Sequence, residues 1–451
     1  MKQSIRLNLH KTRRQQNATW THIPGLPAHI RPVAFTGLFH ICISLLLPAF
    51  VIFTPRQSSA QVVTLDEMFE AIASNNPQLK QYESRASAMD IYAAGAKSWM
   101  APMVGVGTFM TPYPGQEVME MDKGAVMFSL EQEIPNPGRQ KAASAYMLSQ
   151  SAIERTAGQR QLNTLRAEAR MVYYRWLVAE KKRSVLDASL RTLDLTKKLA
   201  EVRYPYNKGS LSDIYKLEAK ISSVQNNLTA NEGNIDQARA QLLALMNLPI
   251  NTSLMIDTTL DIHAHASGID TAGFSARRSD LRELDARIAS MELNRVAQQA
   301  QAKPDFKIRF DHMQPLGDNV PRQFTAMAMI SIPIAPWSSR MYKAQSKGIR
   351  YEIQSMRDER AAVLTETWGK LAGMSKQLQS MEHHLMGYKQ SIMPALEKNF
   401  QAAMQAYEEN RGTLLTVLDG WEAMNMMQLE YFETMDEYYQ MVTEYEKELE
   451  L

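Results

Sequence analysis

The chain has 451 residues, 50 of them Lys or Arg and 48 Asp or Glu, with a single cysteine. So even a balance gives no basic footprint for nucleic acid, and one cysteine cannot build a disulfide framework. The length is enough for several compact domains, whose stability must come from burial or assembly.

The first sixty residues stand apart. They carry Lys2, Arg6, Lys11, Arg13, Arg14, Arg31 and Arg56 but no acid, then an apolar run from Val33 to Phe53, then the small-x-small pattern Ser58-Ser59-Ala60. Residues 1–60 are expected to be a secretory signal with a long basic leader. An uncleaved inner-membrane anchor is the alternative, since about twenty apolar residues can span a bilayer; Pro48 within the run favours cleavage. Removing the seven basic leader residues leaves 43 basic against 48 acidic side chains, a net charge of −5. Cys42 leaves with the leader, and Phe39-His40-Ile41 before it does not resemble a lipoprotein cleavage box.

A first module is expected over residues 61–275. Leu65 to Ser74 reads as a short helix, and Pro77 opens a second at its first position, where the missing N–H costs nothing. That helix is expected to reach Trp99, before Pro102 stops it. The periodicity then switches to two, with strands over about 102–112 and 123–134. Val126, Phe128, Leu130 and Ile134 point one way, and Ala125, Met127, Ser129, Glu131 and Glu133 the other. Gly105 and Gly107 dilute the first strand, and no helix follows them to make a nucleotide fingerprint. Trp99 and Tyr113 lie near the strand ends. Segments of about ten residues suit tilted transmembrane strands, although ordinary hairpins on a soluble core have the same pattern.

A long helix over about 138–204 follows, with Gly158 its one internal glycine. At about 1.5 Å per residue it is a rod of roughly 100 Å. Leu162, Leu165, Ala169, Val172, Trp176, Leu186, Leu190 and Leu193 keep a heptad rhythm. A returning helix over about 211–246 keeps it with Leu217, Ile221, Val224, Leu228, Ile235, Ala238, Leu242 and Leu245. That is coiled-coil packing, and a rod so long requires partners. Asn247 to Ala272 is polar and turn-rich, an expected equatorial belt.

The pattern then returns, over 276–451. Pro77-Gln-Leu79 is answered by Ser279-Asp-Leu281, Arg85 by Arg287, Met89 by Met291, Pro102 by Pro304 and Lys141-Ala142 by Lys343-Ala344. Strands are expected over about 304–313 and 322–334, with Trp337 at their end. A long helix over about 338–410 should kink at Pro394, and a helix over about 414–448 closes the chain. With one residue of drift, Tyr204-x-x-Asn-Lys-Gly209-Ser-Leu211 matches Tyr407-x-x-Asn-Arg-Gly412-Thr-Leu414. A period this long marks a duplicated module rather than a solenoid, whose units run about 20–50 residues.

The fold class expected is mainly α with a membrane β portion. Four strands cannot close a barrel, and an open sheet edge cannot survive in lipid. Pooling three chains gives twelve strands around an open lumen, continued by an α-helical barrel.

The doubled order of helix, strand pair, long helix, tip and helix resembles the TolC family of outer-membrane efflux ducts. Ile134-Pro-Asn-Pro-Gly138-Arg139, Tyr206-Asn-Lys-Gly209-Ser-Leu-Ser-Asp213-Ile214 and Asn410-Arg-Gly412-Thr-Leu-Leu-Thr-Val417-Leu-Asp419 carry that likeness. The Pro-Asn-Pro-Gly junction looks most like the branch serving heavy-metal or cation exporters. The resemblance implies a homotrimer in outer-membrane lipid with its helical tunnel in the periplasm. Its partners would be a periplasmic adaptor and an inner-membrane pump of the RND type, with no nucleic acid and no cofactor.

By the same resemblance the mechanism is passage rather than catalysis, through a gate at the tips. Asp419 takes the place of a gate acid, Thr416 stands where a second acid is expected, and Asp213 matches the acid of the first tip. The missing second acid implies weaker ion selectivity. Gly209 and Gly412 are expected to supply the positive φ of the helix reversals, and Tyr204, Leu211, Tyr407 and Leu414 to dock the adaptor. Turn glycines and solvated caps are the plainer reading of the glycines and acids.

The 29 methionines include Met119 and Met121 in the first hairpin, soft-ligand candidates for Cu(I) or Ag(I); thioethers also serve simply as packing filler. His383-His384 diverge around a helix. No arrangement for nucleophilic or metal catalysis appears, so no enzyme is read here. A duct for protein secretion and a periplasmic coiled-coil adaptor are the competing functions.

Overall fold

The computed structural model describes residues 61–258 and 271–450. The expected leader, Cys42 and most of the polar end of the belt lie outside the described residues. Helix α1 (Leu65–Asn75) starts in a capping box, Thr64 with Glu67, and α2 (Pro77–Gly95) follows with Asn76 as its N-cap. Helix α2 ends at Gly95, short of Trp99, because the chain turns there and extends toward Pro102.

Strands β2 (Met103–Phe109) and β3 (Ala125–Ile134) form the first hairpin. Gly124 closes it with φ +79, where a Cβ would lie 2.7 Å from the Phe109 carbonyl oxygen, so only glycine fits. The second copy supplies β5 (Asp305–Pro315) and β6 (Gln323–Ser331). All four pair antiparallel in the order β2-β3-β5-β6, which leaves β2 and β6 as open edges.

The register places all the sheet's charges on one face. Glu131 faces Arg309, Ser129 faces Asp311, and Glu133 faces Lys307. Lys307 pairs with Glu131 at 2.7 Å, and Arg309 with Asp311 at 2.9 Å. On the opposite face Val104, Val106, Phe128, Leu130, Phe306, Ile308, Phe310, Phe324 and Ile330 are exposed. A short parallel pair, β1 (Gln61–Val63) with β4 (Leu254–Ile256), was not foreseen in the belt; it ties the start of the first copy to its end.

Helix α3 (Pro137–Arg203) is one unbroken rod of 67 residues. Its start explains the Pro-Asn-Pro-Gly junction. Asn136 caps the helix by accepting from Gly138 N–H at 2.9 Å, and its amide donates to the Pro304 carbonyl at 3.0 Å. Arg139 pairs with Asp305, so one motif fastens the rod to the second copy's first strand. Helix α4 (Leu211–Leu245) returns along it.

The second copy has α5 (Thr271–Arg277) and α6 (Ser279–Ala300), then α7 (Pro336–Gly387), α8 (Met393–Glu408) and α9 (Leu414–Leu449). Between α7 and α8 lies a π-helical turn, Tyr388–Ile392, in which Met393 N–H reaches back to the Tyr388 carbonyl. Pro394 has no N–H to continue the α ladder, and the wider turn takes up the fault.

The duplication holds at the level of single ion pairs. Arg155 of α3 binds Asp90 of α2 at 2.7 Å, and Arg357 of α7 binds Glu292 of α6 at 2.8 Å, at equivalent positions. Helix α3 packs against α2 and α6 near the sheet and against α4 and α9 farther away; α6 packs on α7, and α8 on α9. Each level of the rod is thus a wall of four helices. Two buried clusters hold it, one around Trp176, Leu177, Leu242 and Tyr438, the other at the far tips. Among the described residues no helix is long and apolar enough to cross a membrane, which says nothing of strands.

Candidate functional site at the helical tips

The two hairpin tips share one backbone solution, and it is not the glycine solution expected from the sequence. The left-handed residues are Asn207, φ 56, and Asn410, φ 60. Asparagine tolerates this conformation at a helix C-terminus, and each tip closes with the same pair of bonds. Asn207 N–H donates to Tyr204 O at 3.1 Å and Lys208 N–H to Arg203 O at 3.2 Å; Asn410 N–H donates to Tyr407 O at 3.0 Å and Arg411 N–H to Ala406 O at 2.8 Å. Neither Gly209 nor Gly412 has positive φ. At Gly412 a Cβ would crowd the Ala406 Cβ and the Tyr407 nitrogen at 3.2 Å, closer than ordinary contact; around Gly209 there is room.

Each returning helix is then capped at the same offset. Ser210 and Asp213 form a complete capping box, with Ser210 N–H donating to the Asp213 carboxylate at 3.2 Å. In the second copy Thr413 caps the Thr416 N–H at 3.4 Å, and the two hydroxyls lie 3.1 Å apart. Asp213 therefore spends one oxygen on its own helix, with Lys216 at 3.9 Å from the other. One turn on, where the first copy has Lys216, the second has Asp419. Asp419 is exposed and has no hydrogen-bond or ion-pair partner among the described residues. Thr416 is exposed beside it.

The tips also differ in burial. Tyr204 and Leu211 are each 44% exposed, whereas Tyr407 and Leu414 are each 3% exposed and sit in the tip core with Leu193, Ala200, Leu217, Val417 and Trp421. Of the four side chains expected to dock an adaptor, Tyr204 and Leu211 lie at the surface, while Tyr407 and Leu414 are part of the tip packing. Burial pushes the Tyr407 phenol up from its ordinary value, outweighing the nearby Arg203 cation.

Arg203 was not foreseen. Its guanidinium lies over the Tyr407 ring, 4.2 Å from the centroid, donates to the Tyr407 carbonyl at 2.5 Å, and also binds the Asn410 side chain. It clasps one tip to the other. The position answers Ala406 of the second copy, so comparing the copies alone could have flagged it. Trp421 reinforces the join by donating its indole N–H to Ser189 at 3.0 Å, and Lys220 pairs with Glu422.

The methionine candidates lie elsewhere. Met119 and Met121 are exposed in the β2–β3 connection, at either side of Glu120, while Met435 is buried in the core. His384 packs on the Tyr388 ring, 4.9 Å between centroids. Among the described residues no group of three His, Cys, Asp or Glu side chains is placed to hold a metal.

Residues 69–248 match the family described as Outer membrane efflux protein. That span is the first copy; the second shares its build through the duplicated geometry above. The fold is that of solved outer-membrane channels. The channel OprN aligns with a TM-score of 0.69 at 15% identity, over 85% of this chain and 89% of its own. VceC from Vibrio cholerae aligns with a TM-score of 0.65 at 16% identity, over 85% and 95%. CusC aligns with a TM-score of 0.69 at 14% identity, over 88% and 95%. No curated protein sequence matches the chain.

Proposed function

We propose that this chain is a member of the outer membrane efflux protein family, whose model matches residues 69–248, and that it assembles as a homotrimer into the exit duct of a tripartite efflux system. The observation that carries this reading is the four-stranded sheet with one charged face, one apolar face and two open edges. In lipid such edges must be paired, and membrane barrels begin at about eight strands. Three copies supply twelve strands around a polar lumen, and four helices per chain at each level make a twelve-helix tunnel below it. The sheet sits in the outer membrane and the rods reach into the periplasm.

Passage needs no chemistry at the tips, only a constriction whose charge and width can change. Asp419 is the side chain best placed to set that charge, being exposed and unpartnered on the second tip. Three copies ring a constriction with carboxylates, which favours cations. Thr416 adds no charge, and Asp213 is engaged in its cap, so the ring is single. Cations, heavy-metal ions among them, and small toxic solutes are the cargo this suits. The exposed Tyr204 and Leu211, with Tyr206 beside them, form the surface for a periplasmic adaptor, which links the duct to an inner-membrane pump of the RND type.

The test is to extract the full protein from outer membranes in detergent, measure its mass, and record currents in planar bilayers. A trimer with cation-preferring channels is expected, and Asp419→Ala should lower that preference or raise conductance. Recovery as a single subunit without channel activity would overturn the reading.

A further inference from the structure

The groove between α6 and α7 holds positive charge that the duplication does not require. A cavity of about 400 Å³ opens there, lined by Glu292 and Arg295 of α6 and by Arg350, Tyr351, Gln354 and Arg357 of α7. Arg357 is paired with Glu292, the counterpart of the Arg155–Asp90 pair in the first copy. Arg295 and Arg350 have no hydrogen-bond or ion-pair partner among the described residues. The Nε of Arg295 is moreover buried without an acceptor. Three guanidinium groups against one carboxylate leave the lining with two positive charges in excess. Asp358, one turn along α7 from Gln354, accepts from the Gln354 amide at 2.9 Å and lies outside the lining.

In the first copy the positions of Arg295 and Arg350 are Ala93, buried, and Leu148, exposed. The same helix pair therefore folds with no charge at either place. A guanidinium N–H buried without an acceptor is unfavourable, and two unpaired cations side by side repel. Such an arrangement makes physical sense when an anion completes it.

We propose that this groove binds a dianionic phosphate group, either free or as the head of a small phosphorylated molecule. Planar guanidinium forks match phosphate oxygens two at a time. A phosphate offers enough oxygens to engage Arg295 and Arg350 together and balances their two charges, which a single carboxylate does not. The volume falls in the range of small-molecule sites, roughly 300–1,000 Å³, and the Tyr351 ring, 68% exposed, gives a face for whatever the phosphate is attached to. This binding does not depend on conduction through the duct.

The test uses the full-length protein in detergent, in phosphate-free buffer at fixed ionic strength, titrated calorimetrically with inorganic phosphate and separately with glycerol phosphate. Saturable binding to the wild type is expected. The double variant Arg295→Ala/Arg350→Leu, which restores the first-copy residues, should weaken it by about tenfold or more, with unchanged elution volume and circular dichroism. Arg340→Ala, an exposed cation on the same helix outside the lining, should bind as the wild type does. Tighter binding of glycerol phosphate identifies the head of a phosphorylated molecule as the ligand, and equal binding a free anion. No saturable binding by the wild type, or equal binding by the double variant, would overturn the proposal.

Discussion

The two tips reverse the chain with the same left-handed asparagine and the same pair of backbone bonds, yet their side chains do opposite things. At the first tip Tyr204 and Leu211 face solvent and Asp213 is tied into its own helix. At the second, Tyr407 and Leu414 are packed inside and Asp419 stands free. Duplication preserved the αL residue, the N-cap and the Tyr, Gly and Leu of each tip, while the burial of the Tyr and Leu side chains diverged. One tip became surface; the other became an anchor with a loose charge beside it. Arg203 is what makes them unequal, because it reaches from the first tip into the second and has no counterpart in the reverse direction.

That inequality can be broken in steps. The largest effect is expected from Trp421→Ala, which empties the buried site shared by both tips and leaves Ser189 without its indole donor. The cost should be roughly 3–5 kcal/mol. Hydrogen exchange should show faster exchange confined to the tip segments of both copies, and protection equal to the wild type would contradict a shared core.

Arg203→Ala comes next. It removes charge-assisted bonds worth about 1.5–3 kcal/mol and a ring contact worth about 0.5–2 kcal/mol. The tips should separate more readily, seen as higher basal conductance in bilayers. Arg203→Lys should restore it only partly, since an ammonium keeps the charge but not the planar fork. If Lys restores closure fully, the fork is irrelevant.

The smallest step is Thr416→Asp, which completes in the second copy the capping box that Ser210 and Asp213 form in the first. A gain of about 0.5–1 kcal/mol in local stability follows from the cap and the helix dipole. The same change adds a carboxylate one turn from Asp419, so cation preference should rise in bilayers. A rise in stability without any change in preference would separate capping from the gate.

Much of this fold was legible because long helices and alternating strands write strong periodicities, and because each copy could be read against the other. The fault at Pro394 was visible from residue chemistry alone, whereas the Pro-Asn-Pro-Gly junction was legible only as a motif and its Asn136 cap emerged from the structure. The reversals were legible as reversals, but glycine was credited with a conformation that Asn207 and Asn410 adopt. Both types occur within three residues, and only the backbone tells them apart. Equivalence in sequence also suggested equivalence in exposure for Tyr204 and Tyr407. Burial depends on what lies opposite, and the partner of Tyr407 is Arg203, some two hundred positions away. The β1–β4 pair was missed because three-residue strands carry no period.

The break at Tyr388–Ile392 has a geometrical corollary. The first copy spans sheet to tip as a continuous mast, while the second is a spar with a joint partway along. Along α3 the hydrogen-bond ladder runs without interruption, whereas between α7 and α8 it passes through a wider turn in front of Pro394. The two copies thus reach from sheet to tip by unlike routes, one a single regular helix and the other two helices joined through a wider turn.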